Sequence, residues 1–420
     1  MSDPLVSLLV AVPAVVLSCQ AAGRTVRLIG QPPVIGEILI GPSLLGALAP
    51  GIQQQLLPPS VLPVTSALGS LGLLAFLFLI GLELDLRALR GARSSVISVS
   101  LGGLVLPLAL GGALAAAMYP YLAPPGVERL PFILFVAVAL SITAFPVLAR
   151  ILADQGLDAT PLGTFALACA ALDDALAWCL LTAVISLSTA GTPLTALTTL
   201  ALAAAWAAAL TLLRPALGKA LLQAGRTSDD LVLAALVAGL CLSAYATARI
   251  GVHPAIGAFL FGATVPRSIP AVERGAARLR AVFLPLLLPF FFVDTGLHTD
   301  FSTLPAGQWG WGAAILAVAV LGKWGGAAGA ARLTGADWRW AAAVGTLMNC
   351  RGLTELVVLG IGLQLGIISA QLFTLLVIMA VITTGATAPI LRRLTGRDPR
   401  MSPPAPDHKP ALGKEREATG

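Results

Sequence analysis

The stretch GTFALACAALDDALAWCLLTAVISL, residues 163–187, is a mostly apolar run whose only charged residues are Asp173 and Asp174 near its middle. About 20 mostly apolar residues suffice to cross a bilayer, so this run reads as a spanning helix. An ionised carboxylate at the bilayer centre costs about 2.5–3.5 kcal/mol on insertion scales. A membrane helix keeps two of them only where partners, protons or ions offset that cost. The pair therefore marks the working part of the molecule, and what surrounds it decides the work.

The rest of the chain has the same character. Of 420 residues, 57% are hydrophobic and 11% charged, against about 25% charged in soluble domains. The apolar runs predict an all-α polytopic membrane protein with about thirteen transmembrane helices, near 5–27, 33–48, 63–83, 95–118, 130–152, 161–187, 193–213, 229–248, 251–265, 281–297, 309–332, 339–363 and 370–392. The five cysteines all fall inside these runs without a CxxC pair and read as small packing residues, while the three histidines are scattered. No cofactor or resident metal is expected. The first run follows Asp3 instead of a basic segment, unlike a cleavable signal peptide.

The net charge of +6 is a topology signal. Arg24 and Arg27, Arg87 to Arg93, Arg150, Arg214 to Arg226, Arg267 to Arg280, Arg332 with Arg339, and Arg392 to Arg400 occupy every second loop. The intervening loops hold Arg129 and Arg249. This is the positive-inside pattern, and it predicts an external N-terminus and a cytoplasmic C-terminus. It gives no indication of nucleic acid. The polar, Pro-rich segment 394–420 reads as a short disordered tail.

A weak internal repeat is present. PVIGEILIG (33–41) shares P-x-I-G-x-x-L-x-G with PAIGAFLFG (254–262), and GLELD (81–85) aligns with GLHTD (296–300). The copies lie an odd number of spans apart, so each crosses opposite to its mate. Such inverted repeats are typical of secondary transporters, with sites at the midplane formed by broken helices. SITAFPVLAR (141–150) and NCRGLTELVVL (349–359) fall in matching positions and both look interruptible. Pro146 removes a backbone donor beside the Thr143 hydroxyl, Gly352 weakens its helix, and Arg351 and Glu355 place charge at membrane depth.

The buried charges must balance. Asp173 and Asp174 point about 100° apart on a helix and address different partners. Lys323, deep in ILAVAVLGKWGGAAGA (315–330), is the obvious counter-charge. Burial disfavours a charged lysine, so a Lys–Asp pair can exchange a proton, although a static tie between two helices is the alternative. Arg351 either neutralises facing helix C-termini or pairs with Glu355 one turn along.

At these residues the chain resembles the monovalent cation:proton antiporter superfamily, the sodium/hydrogen exchanger fold, and within it the branch of plant-type cation/proton exchangers and Kef-like bacterial antiporters. GEILIGPSLLG (36–46), FLFLIGLELD (76–85), SITAFPVLARIL (141–152), DDALAW (173–178), HPAIGAFLFG (253–262) and NCRGLTELVVL (349–359) carry the likeness, which covers about residues 5–393. The resemblance implies two inverted five-helix repeats with crossed broken helices, and a homodimer whose scaffold (about 1–90 and 229–300) supports a mobile core (about 94–188 and 307–393) through a linker helix (about 193–213). It implies exchange of Na⁺ or K⁺ for H⁺ across the cytoplasmic membrane. Asp174 would bind cation and proton by turns, Asp173 would pair with Lys323, and Thr143 with the backbone at Ala144 and Phe145 would contact the ion. Pro146, Arg351 and Glu355 would shape the electrostatics of the broken helices. The Asp-Asp-Lys set resembles the electrogenic type. The chain stops about 25 residues past its last span, so the nucleotide or glutathione control of Kef-like members is not expected.

Two other classes fit the sequence less well. A passive cation channel needs a continuous polar pore, and a proton-coupled carrier of an organic solute needs a hydrogen-bonding or aromatic pocket, whereas aromatics make up 6%. An intramembrane enzyme is disfavoured: the sequence has no HExxH, no Ser–Lys nucleophile pair, and two aspartates too close to flank a scissile bond.

Overall fold

The computed structural model describes residues 4–28, 36, 58, 61–83, 94–189, 193–297 and 306–396. All regular structure among them is helical, as lipid demands of a backbone that must satisfy its own hydrogen bonds. Fourteen α-helices are described: α1 (Pro4–Leu28), α2 (Leu62–Glu83), α3 (Ser94–Leu122), α4 (Arg129–Ser141), α5 (Phe145–Asp154), α6 (Pro161–Thr189), α7 (Pro193–Thr227), α8 (Asp229–Ile250), α9 (Pro254–Thr264), α10 (Pro270–Leu297), α11 (Trp309–Leu333), α12 (Trp338–Met348), α13 (Leu353–Gln364) and α14 (Ala370–Thr395). Ten segments of the described residues are long and apolar enough to span a bilayer.

Two of the expected spans are divided. The run near 130–152 is α4 followed by α5, and the run near 339–363 is α12 followed by α13. The first copy of the repeat, PVIGEILIG, lies outside the described residues but for Gly36, as do the last residues of GLELD and GLHTD. The linker helix expected near 193–213 runs on to Thr227 as α7. The expected span ends at Leu213, but the helix does not. Ala, Leu, Lys and Gln beyond it still favour helix. For the same reason α10 begins at Pro270, ahead of its apolar part.

Packing sorts the helices into two groups. On one side α3 lies along α11, with α4, α5, α6, α12, α13 and α14 around them, and on the other α2 packs against α9 and α10, with α1 and α8. α7 touches members of both. Without a hydrophobic driving force in lipid, close backbone approach supplies the dispersion energy. A Cβ on Gly81 would lie 2.1 Å from the Phe259 carbonyl oxygen, and one on Gly262 would lie 2.1 Å from that of Phe78. α2 and α9 thus interlock backbone to backbone through one glycine each. Between the groups runs an apolar seam in which Trp178 of α6 stacks on Phe259 of α9, with ring centroids 5.9 Å apart, beside Phe76, Phe291 and Val357.

Candidate functional site

The site lies where the two broken spans cross. α4 stops at Ser141 because Ile142 turns to extended geometry, and α5 restarts at Phe145 with Pro146 in its first turn. Proline is tolerated there, since that position has no intrahelical donor to lose. α12 stops at Met348, and α13 restarts after Gly352. A side chain at 352 would bring its Cβ to 2.6 Å from Val147 Cγ2, so glycine lets the two crossovers touch. They are joined by a main-chain hydrogen bond, the Ala144 amide donating to the Cys350 carbonyl at 3.0 Å.

Breaking a helix leaves carbonyls at its C-terminus without partners and concentrates partial negative charge there. Two buried cations meet that demand at α4. The Arg351 guanidinium donates to the Ala139 carbonyl at 3.2 Å and to that of Leu140 at 2.5 Å. The Lys323 ammonium donates to the Ser141 carbonyl. Arg351 also pairs with Glu355 at 3.1 Å, and all three charged side chains are fully buried.

Asp173 completes this network. Its Oδ2 accepts from Lys323 and, at 2.6 Å, from the Thr143 hydroxyl. The same hydroxyl lies 3.0 Å from the Met348 carbonyl. Its single proton can serve only one acceptor, so Thr143 answers to the charge on Asp173. Asp174 is different. It is 2% exposed, and neither of its oxygens has a hydrogen-bond partner. The Phe145 amide, Asp173 and Lys323 lie near it. Asp173 Oδ1 is likewise unpartnered. Buried polar atoms are rarely left so, and here three oxygens of the aspartate pair and Oε2 of Glu355 are.

The residues singled out by sequence therefore converge. Asp173, Thr143, Lys323, Arg351 and Glu355 form one network with the α4 C-terminus. Ala144 supplies the bond at the crossing, Phe145 faces Asp174, and Pro146 starts α5. With every group ionised, Asp173, Asp174 and Glu355 against Lys323 and Arg351 leave one net negative charge. One proton or one monovalent cation balances it.

Sequence reasoning missed Thr384 of α14. Its hydroxyl accepts from the Arg351 amide at 3.0 Å and donates to the Arg351 carbonyl at 2.5 Å, clamping the second crossover. The side chains of Asn349 and Thr354, buried beside the same crossover, each keep an unpartnered oxygen. An isolated threonine in an apolar helix most often bonds to its own preceding turn, so nothing in the sequence marks Thr384. A cavity of about 850 Å³ bounded by Ser66, Ser70, His253, Val357, Gln364 and Phe373 lies between the two helix groups, and neither aspartate lines it.

Comparison with known proteins agrees with this geometry. Residues 14–393 match the family model described as sodium/hydrogen exchanger, transmembrane. A Na⁺/H⁺ antiporter, NhaS4, of a Synechocystis strain is 38% identical over 90% of this chain and 92% of its own. K⁺/H⁺ antiporter 1 of Saccharomyces cerevisiae is 31% identical over 99% of this chain and 50% of its own. The chain thus spans nearly all of the cyanobacterial relative, and about half the length of the yeast protein and of the plant cation/H⁺ antiporters it also matches. The sodium proton antiporter MjNhaP1 of Methanocaldococcus jannaschii shares the fold, with a TM-score of 0.66 over 93% of this chain and 97% of that one at 15% identity. The crossed broken helices, the match over nearly the whole chain and the shared fold lead to one assignment: the chain belongs to the sodium/hydrogen exchanger family, a family of transporters and not of enzymes.

Proposed function

We propose that the protein is a secondary active antiporter exchanging a monovalent cation, Na⁺ or K⁺, for H⁺, with Asp174 as the shared binding group. The observation that carries this reading is a buried, unpartnered Asp174 carboxylate beside the Asp173–Lys323 pair at the crossing of two broken helices. A proton on Asp174 or an alkali cation against it offsets the excess charge. The empty form leaves the Asp174 charge without any partner and is too costly to carry past the apolar seam, so the two substrates compete and only loaded forms move. The relatives' names give both Na⁺ and K⁺.

The second proton is carried by the Lys323 pair. A cation held by both aspartates draws Asp173 away from Lys323, and a lysine left buried without its carboxylate releases its proton. The proton-loaded core is then neutral and the cation-loaded core carries one negative charge. Each cycle moves one net charge, worth about 2.3 kcal/mol per 100 mV.

The helix group containing α3–α6 and α11–α14 is the mobile core in this reading, and α1 and α2 with α8–α10 belong to the scaffold of a homodimer, linked to the core by α7. Alternate loops rich in Lys and Arg support an external N-terminus and a cytoplasmic C-terminus in the cytoplasmic membrane.

Proteoliposomes with an entrapped pH dye test the assignment. Na⁺ or K⁺ should collapse an imposed pH gradient in the parent and not in Asp174→Asn, while an equal response in both overturns it. Saturation of the flux with cation concentration separates antiport from channel conduction.

A further inference from the structure

A second cavity, of about 550 Å³, lies at the far end of α2, between α2, α7 and the turn joining α9 to α10. The Lys/Arg bias puts this end at the cytoplasmic headgroup level. Its volume is within the ~300–1,000 Å³ usual for small-ligand sites. Arg214 and Lys219 reach its wall from α7, and Arg267 and Ser268 from the turn.

These cations differ from their neighbours. Arg274 is held by Asp229 at 2.8 Å, Arg278 by Asp230 at 2.6 Å, and Arg280 by Glu83. No ion pair or side-chain hydrogen bond among the described residues involves Arg214, Lys219 or Arg267. Glu83 also lines the cavity, but its carboxylate is engaged by Arg280. Among the described residues the cavity therefore gathers positive charge without a free carboxylate at short range. α10 begins at Pro270, just past its wall, and adds the positive end of a 28-residue helix. The remaining lining is apolar, including Leu82, Leu222 and Val265. Leu212, Leu213 and Leu222 on the same stretch of α7 are 80%, 55% and 50% exposed, so an uncovered apolar surface flanks the cavity.

We infer that this cavity binds a phosphate-bearing headgroup, supplied by an anionic phospholipid or by a soluble phosphate ester. Guanidinium forks and an ammonium match phosphate oxygens in charge and in donor geometry. Basic pockets between helices at the cytoplasmic face are suited to acidic lipid headgroups. A cation acting only as a topological anchor would face water or any headgroup and would show no preference among ligands. The inference is independent of the antiport reading, because none of these residues belongs to the crossing.

The test uses the full chain in detergent micelles. Melting temperature is followed against added phosphatidylglycerol, phosphatidylcholine, glycerol 3-phosphate and inorganic phosphate. The cavity variant is Arg214→Gln with Lys219→Gln and Arg267→Gln, and the control variant removes the same charge elsewhere with Arg24→Gln, Arg392→Gln and Arg393→Gln. A dose-dependent rise with phosphatidylglycerol, absent with phosphatidylcholine, lost in the cavity variant and kept in the control, supports the site with lipid as its source. The same pattern with glycerol 3-phosphate or inorganic phosphate supports it with a soluble source. No rise with any of them, or equal rises in the parent and the cavity variant, overturns it. Should the triple variant not fold, Arg267→Gln alone, with bound phosphatidylglycerol counted by native mass spectrometry, decides on the same terms: retained lipid overturns the site and lost lipid supports it.

Discussion

Lys323 and Arg351 donate to consecutive carbonyls at one helix end, Lys323 to Ser141 and Arg351 to Leu140 and Ala139. Two full positive charges thus face a helix terminus whose dipole is equivalent to about half a negative charge. The surplus falls on Asp173 and Glu355, and the four groups form one electrostatic unit. Removing any member exposes the others.

Arg351→Met should be the most damaging change in this unit. It strands Glu355 and two carbonyls in the interior, and loss of one partner from a buried pair costs about 3–5 kcal/mol. Glu355→Gln leaves Arg351 with its carbonyl partners and should cost less, about 1–3 kcal/mol. Thermal melts in detergent should rank Arg351→Met below Glu355→Gln, and the reverse order would contradict the capping role.

Lys323→Ala should weaken the response to membrane potential more than it weakens cation affinity. The variant lacks the second exchangeable proton, so its cycle approaches one proton per cation and moves no net charge. Flux in proteoliposomes with and without a potassium–valinomycin potential gives the comparison. Equal voltage dependence in variant and parent would remove Lys323 from the transport cycle.

Competition at Asp174 fixes a pH dependence. Protons occupy the carboxylate as pH falls, so the apparent KM for the cation rises on the acid side while the maximal rate set by the loaded form does not follow it. The limiting slope is about tenfold per pH unit if one proton competes and about a hundredfold if two do. KM measured at fixed voltage from pH 6 to 9 reads the slope, and a KM indifferent to pH excludes shared binding.

Gly81→Ala and Gly262→Ala should each destabilise by about 1–3 kcal/mol or more, since backbone on the facing helix cannot yield to the added methyl. Gly329→Ala in α11 meets no atom within 4 Å and should be neutral or stabilising by about 0.5–1 kcal/mol. Folded yield and melting temperature of the three variants make the contrast.

Much of the architecture was legible because lipid leaves a chain few choices. Apolar length marks a span, and Pro146 and Gly352 marked the interruptions. Hydropathy reports where lipid ends, not where a helix ends, which is why α7 outran its expected limit by a further stretch to Thr227. At the site, the charged members stood out because charge is rare at such depth. The carbonyls of Ala139, Leu140, Ser141 and Met348 did not, since any residue can supply a carbonyl and only the fold decides which are left over. Thr384 was hidden for a related reason, because its hydroxyl reaches across to another helix instead of back along its own.

The link from the Ala144 amide to the Cys350 carbonyl consists of main chain only. Residue-by-residue replacement therefore passes over the rivet between the two broken spans, and side chains at either end can drift without loosening it. Proline at 144 is the one genetically coded residue that would cut it. Tolerance to mutation at these two positions would thus disguise their mechanical importance.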